Sequence, residues 1–203
     1  MSTSSANNIE KSEFAMLPTS FGTFKIKAYK DQEQEHLAIM SQDLFGLEDP
    51  IVRIHSECLT GDALQSLKCD CNNQLHLALK LIAKNGGLVI YHRQEGRNIG
   101  LLNKVNAYKL QDDGYDTIQA NLKLGFKEDE RDYSAIGFIL KDLNIKKMQL
   151  VTNNPVKIDF IESLGLEITK RIPAITAIHE HNEKYLQIKK DHMGHMLQDF
   201  NCK

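Results

Sequence analysis

Gly86-Gly87-Leu88-Val89-Ile90-Tyr91-His92-Arg93-Gln94-Glu95-Gly96-Arg97-Asn98-Ile99-Gly100 changes character twice. Leu88 to Tyr91 is a continuous apolar run, the pattern of a strand buried on both faces of an α/β sheet. A polar loop follows, and then a helix is predicted over Ile99 to Asp112, stopped by Gly114. Loops in that position, between a buried strand and a helix, are where α/β proteins bind ligands. Two arginines, a Glu and two glycines there fit an anion held by guanidinium forks and backbone N–H groups. The plainer alternative is a solvated loop with local salt bridges. Gly96 and Gly100 do not form a P-loop, because no Gly-Lys-Ser/Thr follows.

Moving outward, Leu75, Ala78, Leu79 and Ile82 have helical spacing, with Asn72 or Asn73 as cap and Gly86-Gly87 as stop. Upstream, Phe24, Ile26 and Ala28 alternate with lysines as in a half-buried strand. His36 to Ser41 and Ile51 to His55 are two further β-type runs, separated by Gly46 and Pro50. Downstream, Tyr133, Ile136, Leu140 and Leu143 predict a helix and Met148 to Val151 a strand. Pro155 opens a helix over Val156 to Leu164 that Gly165 closes. The fold expected is α/β, a mixed β-sheet core with flanking helices and a β-rich N-terminal part. Residues 1–13, polar and rich in Ser and Asn, read as a flexible tail, 14–178 as one folded domain, and 179–203 as a C-terminal segment. That segment holds His179, His181, His192 and His195, whose spacing matches no tetrahedral metal template, so a solvated tail or an oligomer contact is expected.

The 203 residues are 41% hydrophobic and 26% charged, with 25 basic and 27 acidic side chains. That apolar content excludes a disordered chain, and the balanced net charge of −2 argues against a protein that coats nucleic acid or an anionic membrane. No run approaches the ~18 apolar residues of a membrane helix, and the start lacks a signal peptide's basic and apolar regions. A cytoplasmic globular protein is expected.

Of four cysteines, Cys58, Cys69 and Cys71 cluster while Cys202 stands apart. In a reducing compartment this spacing points to metal rather than to disulfides. Three thiolates leave a fourth tetrahedral position free for water, the arrangement of a catalytic zinc site. His55 or His76 completing a closed Cys3His structural site is an equally open reading on spacing alone. Three thiolates overcompensate a dication and weaken it as a Lewis acid, so a catalytic site would need a proton shuttle nearby.

Thr152-Asn153-Asn154-Pro155-x-Lys157 lies at a strand end and helix start and offers a hydroxyl, amides, free N–H groups and a lysine, a set that suits a phosphate. Lys127-Glu128-Asp129-Glu130-Arg131-Asp132 is a dense charge run, which taken alone reads as a solvated helix start.

Arg53-Ile54-His55-Ser56-Glu57-Cys58-Leu59-Thr60-Gly61-Asp62, Cys69-Asp70-Cys71-x-x-Gln74-Leu75, His92 to Gly100, and Gly125-Phe126-x-x-Asp129-x-Arg131 together resemble the signature motifs of GTP cyclohydrolase II. Thr152 to Lys157 and Lys189-x-x-His192-Met193-Gly194-His195 are similar too. The resemblance covers about residues 14 to 197 in order. Asn72 departs from it, since the family usually has Gly after the C-x-C; Asn tolerates the same left-handed backbone.

The resemblance implies zinc on Cys58, Cys69 and Cys71, and a catalytic set of Tyr108, Asp129 and Arg131. It implies GTP contacts from Arg53, Ile54, His55, Ser56, Glu57, Gln74, Glu95, Gly96, Arg97, Thr117, Thr152 and Lys157, with Mg2+ on the triphosphate. An acid such as Glu95 would read guanine N1–H and the 2-amino group. Family relatives are usually homodimers, with Met193 to Leu197 a candidate interface. The bifunctional relatives carry a dihydroxybutanone-phosphate synthase domain in front, for which 203 residues leave no room, so a stand-alone form is expected. Two other readings are a variant that stops at the formamidopyrimidine and a nucleotide- or RNA-binding module with structural zinc.

Overall fold

The computed structural model describes residues 9–176, 180 and 182–197. The N-terminal part is antiparallel. Strands β1 (Glu10–Lys11) and β2 (Ala15–Thr19) both pair with β3 (Gly22–Asp31), which pairs with β4 (Gln34–Met40). The parallel part comprises β5 (Ile51–Ser56), β6 (Gly87–His92), β7 (Lys147–Val151) and β8 (Glu167–Ile172). β4 joins the two parts by pairing antiparallel with β6, and the sheet runs β1-β3-β4-β6-β5-β7-β8. The mixed sheet agrees with the fold expected. The tail is shorter than expected, because Ile9 is buried and Glu10–Lys11 pair with Lys30 and Tyr29. Residues 1–8 lie outside the described residues.

Helices flank the sheet: α1 (Leu59–Asp62), α2 (Cys71–Asn85), α3 (Glu95–Asn98), α4 (Gly100–Asp112), α5 (Thr117–Lys123), α6 (Ser134–Asp142), α7 (Pro155–Ser163) and α8 (Glu183–Asp191). Successive strand residues point to opposite faces, so each central strand feeds two cores. Val52, Ile54, Leu88, Ile90, Met148 and Leu150 pack with Ile136, Ile139 and Leu140 of α6 and Ile161 of α7. Ile51, Val89 and Val151 face the other way and pack with Ala78 and Ile82 of α2. This double burial is why Leu88 to Tyr91 reads as an unbroken apolar run.

Two helix expectations need correction. α2 begins at Cys71 with Asp70 at its N-cap position, ahead of Asn72 and Asn73. Lys127 to Asp132 is not a helix start; it is an irregular loop whose Arg131 side chain is turned inward. α7 follows expectation, with Pro155 in its first turn and Asn154 Oδ1 accepting from Val156 N at 3.0 Å. No helix among the described residues is long and apolar enough to cross a membrane.

The chain runs from β5 through α2 to β6 on one side, then crosses to β7 on the other side of β5. The segments that follow Ser56, His92 and Val151 therefore gather at the C-terminal end of the parallel strands, where open α/β sheets bind ligands.

Candidate active site

A cleft of about 500 Å³ opens there, and two clusters of side chains line it. The first is sulfur. Cys58 precedes α1, while Cys69 and the first residue of α2, Cys71, come in from the next turn. Their three sulfurs lie within 4.8 Å of one another, with Cys58 and Cys69 3.7 Å apart. A tetrahedral thiolate site with metal–sulfur bonds of about 2.3 Å places its sulfurs about 3.8 Å apart, so the cluster fits a bound metal ion. Gly61 makes the convergence possible: a Cβ there would stand 2.8 Å from Cys69 Sγ and 3.0 Å from Cys58 Sγ.

Among the described residues no histidine or carboxylate joins this group. His55 Nε2 bonds Asp62 at 3.0 Å, and His76 packs on Phe21. The closed Cys3His site is thereby disfavoured. Hydrogen bonds from the Cys69 and Cys71 thiols hold Cys58 far below the usual thiol range, against the cost of burial and with help from Lys104. The same Cys58 contact pushes Cys69 up to about 11.

Around the sulfurs, Asp62 organises the loop by accepting from Cys58 N at 3.0 Å and Tyr91 OH at 2.8 Å as well as meeting His55. Burial keeps His55 neutral. Tyr108 stands one helical turn after Lys104 on α4, its OH 3.0 Å from Thr60 Oγ1. Burial raises the Tyr108 pKa, so it holds its proton at neutral pH.

The second cluster is cationic. Lys157 Nζ donates to Ile54 O at 2.8 Å and Ser56 Oγ at 3.1 Å, and Arg131 Nη1 donates to the same Ser56 Oγ at 3.0 Å. Having accepted two bonds, the Ser56 hydroxyl is left to donate its own proton. Arg131 forms a fork with Asp129, whose two oxygens meet its Nε at 2.8 and 3.1 Å. Burial lowers the Arg131 pKa, but the bond to Asp129 more than restores it. Arg53 Nη1 donates to Val151 O at 2.9 Å and Nη2 to Gln74 Oε1 at 2.6 Å, while its Nε is buried without a partner. Burial, reinforced by Arg53 and Arg131, drives Lys157 well below its ordinary pKa.

Most of the residues expected from the sequence are therefore brought together. Glu57, Gly96, Arg97, Thr117 and Thr152 also line the cleft. Ile54 does not, because its side chain is 1% exposed and packed in the core beneath α6 and α7; only its carbonyl serves the site. Glu95 lines the cleft as well, and its carboxylate is already engaged. Its oxygens accept from Leu59 N at 2.5 Å, Gly96 N at 2.8 Å and Lys104 Nζ at 2.7 Å, so a guanine contact would have to share them. The loop that aims it is built from left-handed residues, with φ of 61° at Gly96, 61° at Arg97 and 75° at Asn98.

Two residues absent from the sequence expectation, Lys104 and Tyr185, line the cleft, and a third, Asp70, supports it from behind. Lys104 reaches Cys58 Sγ at 3.1 Å. Asp70, between two of the cysteines, accepts from Gln74 Nε2 at 2.5 Å and Lys189 Nζ at 2.9 Å. Tyr185 of α8 lines the wall beside them. The described part of the C-terminal segment, 182–197, is thus no solvated tail. Lys189, Met193 and His195 line the cleft, and Met196 N donates to Asn153 O at 2.8 Å, so Met193 to Leu197 is used within its own chain. His179, His181 and Cys202 lie outside the described residues. Lys104 and Tyr108, four apart on one helix, had a legible signal in that spacing; the Asp70–Lys189 pair, 119 residues apart, had none.

The chain is 58% identical over 193 residues to a GTP cyclohydrolase-2 of Campylobacter fetus subsp. fetus, covering 95% of this chain and 98% of that protein. It is 50% identical over 193 residues to the riboflavin biosynthesis protein RibBA of Bacillus subtilis, covering 93% of this chain and 48% of that longer protein. A two-domain 3,4-dihydroxy-2-butanone 4-phosphate synthase structure from A. baumannii covers 84% of this chain and is itself covered to 40%, with TM-score 0.44 and 18% identity, too slight a likeness to support any inference. The family model described as GTP cyclohydrolase II matches residues 10–173. With that match and relatives this similar along nearly their whole length, the chain belongs to the GTP cyclohydrolase II family.

Proposed function

We propose that the protein is a zinc-dependent hydrolase that converts GTP to 2,5-diamino-6-(5-phospho-D-ribosylamino)pyrimidin-4(3H)-one, with release of formate and diphosphate, as the first step of riboflavin biosynthesis. The observation that carries this reading is the opening of the sulfur cluster and the cation cluster into one cleft. The reaction needs two kinds of hydrolysis. Water must break C8–N9 and then C8–N7 of guanine, and a further water must cut between the α- and β-phosphates. Zinc held by Cys58, Cys69 and Cys71 would supply the Lewis acid that activates water and polarises the formamide oxygen.

Tyr108, protonated and fixed through Thr60, orients water at C8 and passes a proton toward the departing nitrogen. Arg131, locked by Asp129, and Lys157 meet the phosphates, with Ser56 between them donating its free proton. Arg131 acts by stabilising charge on the phosphoryl group, the ordinary role of a guanidinium that stays protonated and is a poor nucleophile. Mg2+ accompanies the triphosphate, which carries more charge than these side chains neutralise. The reading includes a homodimer in the cytoplasm, checked by sedimentation.

Incubation of the purified protein with GTP, Mg2+ and Zn2+ should yield the diaminopyrimidine chromophore, and the Cys69→Ser protein should not. Formate released per GTP should be near one, since Tyr108 is present; a ratio near zero would move the assignment to the formamidopyrimidine-forming variant. The nucleic-acid-binding alternative needs a fourth protein ligand on the metal, and among the described residues none joins the cysteines.

A further inference from the structure

Lys104 has no part in the chemistry above, yet it is the cation in direct contact with the sulfur cluster. It is 8% exposed, and its Nζ lies 3.1 Å from Cys58 Sγ and 2.7 Å from Glu95 Oε1. Glu95 is itself pinned by Leu59 N and Gly96 N, so the ammonium is aimed by a carboxylate that cannot swing away. The Tyr108 ring, 5.8 Å from Nζ, covers another side.

A centre with three thiolates and one dication carries a net charge of −1, and sulfur donation blunts the metal as a Lewis acid. A charge-assisted N–H···S bond draws density back from a thiolate without removing it as a ligand. We infer that Lys104 is a positioning residue that hydrogen-bonds the Cys58 thiolate of the metal-loaded centre and thereby keeps a sulfur-rich site acidic enough to hydrolyse C–N bonds. This rests on the metal reading of the previous section. Glu95 then serves the sulfur side of the cleft by holding the lysine in place.

The test uses the cobalt(II)-substituted full chain and reads the sulfur-to-cobalt charge-transfer band. In Lys104→Met the Cys58 sulfur becomes the better donor, so the band should move to longer wavelength, and zinc affinity at neutral pH should fall roughly 10- to 100-fold, as for other lost partners of metal ligands. Lys104→Arg should return the band most of the way to its original position. Lys104→Gln, with a neutral donor, should give a smaller shift in the same direction and covers the case in which the Met variant fails to fold. Lys189→Met, which disturbs the same wall without touching a sulfur, should leave the band in place. A band unmoved in both the Met and Gln variants, an Arg variant indistinguishable from Met, or an equal shift in Lys189→Met would overturn the assignment. If the unsubstituted chain binds no cobalt, the metal reading itself fails, an outcome distinguishable from a band that is present and does not move.

Discussion

Cys58, Cys69 and Cys71 meet within one short stretch of chain folded around Gly61, whereas the cationic cluster is assembled over long range, with Lys157 reaching a carbonyl 103 residues away. The two clusters also differ in their electrostatics. The sulfurs face Lys104, an opposite charge in contact with the cluster. Lys157 is buried beside Arg53 and Arg131, with Lys189 also opposing its charge and Asp129 favouring it. One cluster has a counter-cation in contact with it, and in the other a lysine is crowded by cations of its own chain. Sites matched to a ligand commonly lower the stability of the free protein in this way.

Removing a member from each cluster gives the largest contrast. Cys69→Ser should lose at least roughly 1,000-fold in turnover together with its zinc, yet still bind GTP by calorimetry. Arg131→Gln should lose roughly 100- to 1,000-fold in turnover while retaining one zinc per chain by elemental analysis. Loss of zinc in the Arg131 variant would break the division of labour. Gly61→Ala sharpens it: the added methyl would press between Cys69 and Cys58, and zinc affinity should fall roughly 10- to 100-fold in a chelator competition with GTP binding intact.

Lys157→Met tests that crowding. GTP affinity should drop about 10- to 100-fold, the worth of a charge-assisted hydrogen bond, while urea unfolding without ligand shows a gain of roughly 1–3 kcal/mol. Equal or lower stability would mean that the cations are better compensated than their burial indicates.

A pH-dependent effect lies beneath the cation cluster. His92 is fully buried with neither ring nitrogen bonded; it stacks on Tyr133, the ring that lies against Arg131, and meets His36 at a tilt. Burial, then His36, lowers its pKa to about 3. Between that value and the unfolded value near 6.5 the unfolded chain binds the extra proton, so stability falls as pH falls through this window, by up to about 1.4 kcal/mol per unit. His92→Phe should flatten that slope in melts between pH 4 and pH 7 relative to the unsubstituted protein.

The sulfur cluster was legible because its ligands are close in sequence and metal chemistry constrains their spacing. The strands and helices with strong periodicity were legible for the same local reason. Ile54 shares a motif with Arg53 and His55, yet strand alternation sends those two toward the cleft and Ile54 into the core. The short elements β1, β2, α1 and α3 carry too few residues to show a period, and β8, α5 and α8 also escape it. β8 is an edge strand rich in charge, and α8 is a nine-residue helix with only Tyr185, Leu186 and Ile188 as apolar residues. α5 is only seven residues long, although its Asp116–Gln119 capping box was there to be seen. The docking of Lys189 on Asp70 and the inward turn of Arg131 depend on tertiary packing, which no short window of sequence encodes.

The Asp70–Lys189 bond also sets a timetable. Its partners are 119 residues apart, so at a synthesis rate of 5–20 residues per second the carboxylate between Cys69 and Cys71 leaves the ribosome roughly 6 to 24 s before its lysine. During that interval Gln74 is its nearby partner, and the sulfur loop is exposed on the side that α8 later covers. The nascent chain therefore offers its thiols to metal, or to oxidants, before the wall behind them exists, and the cleft gains its α8 side only once Lys189 has been made.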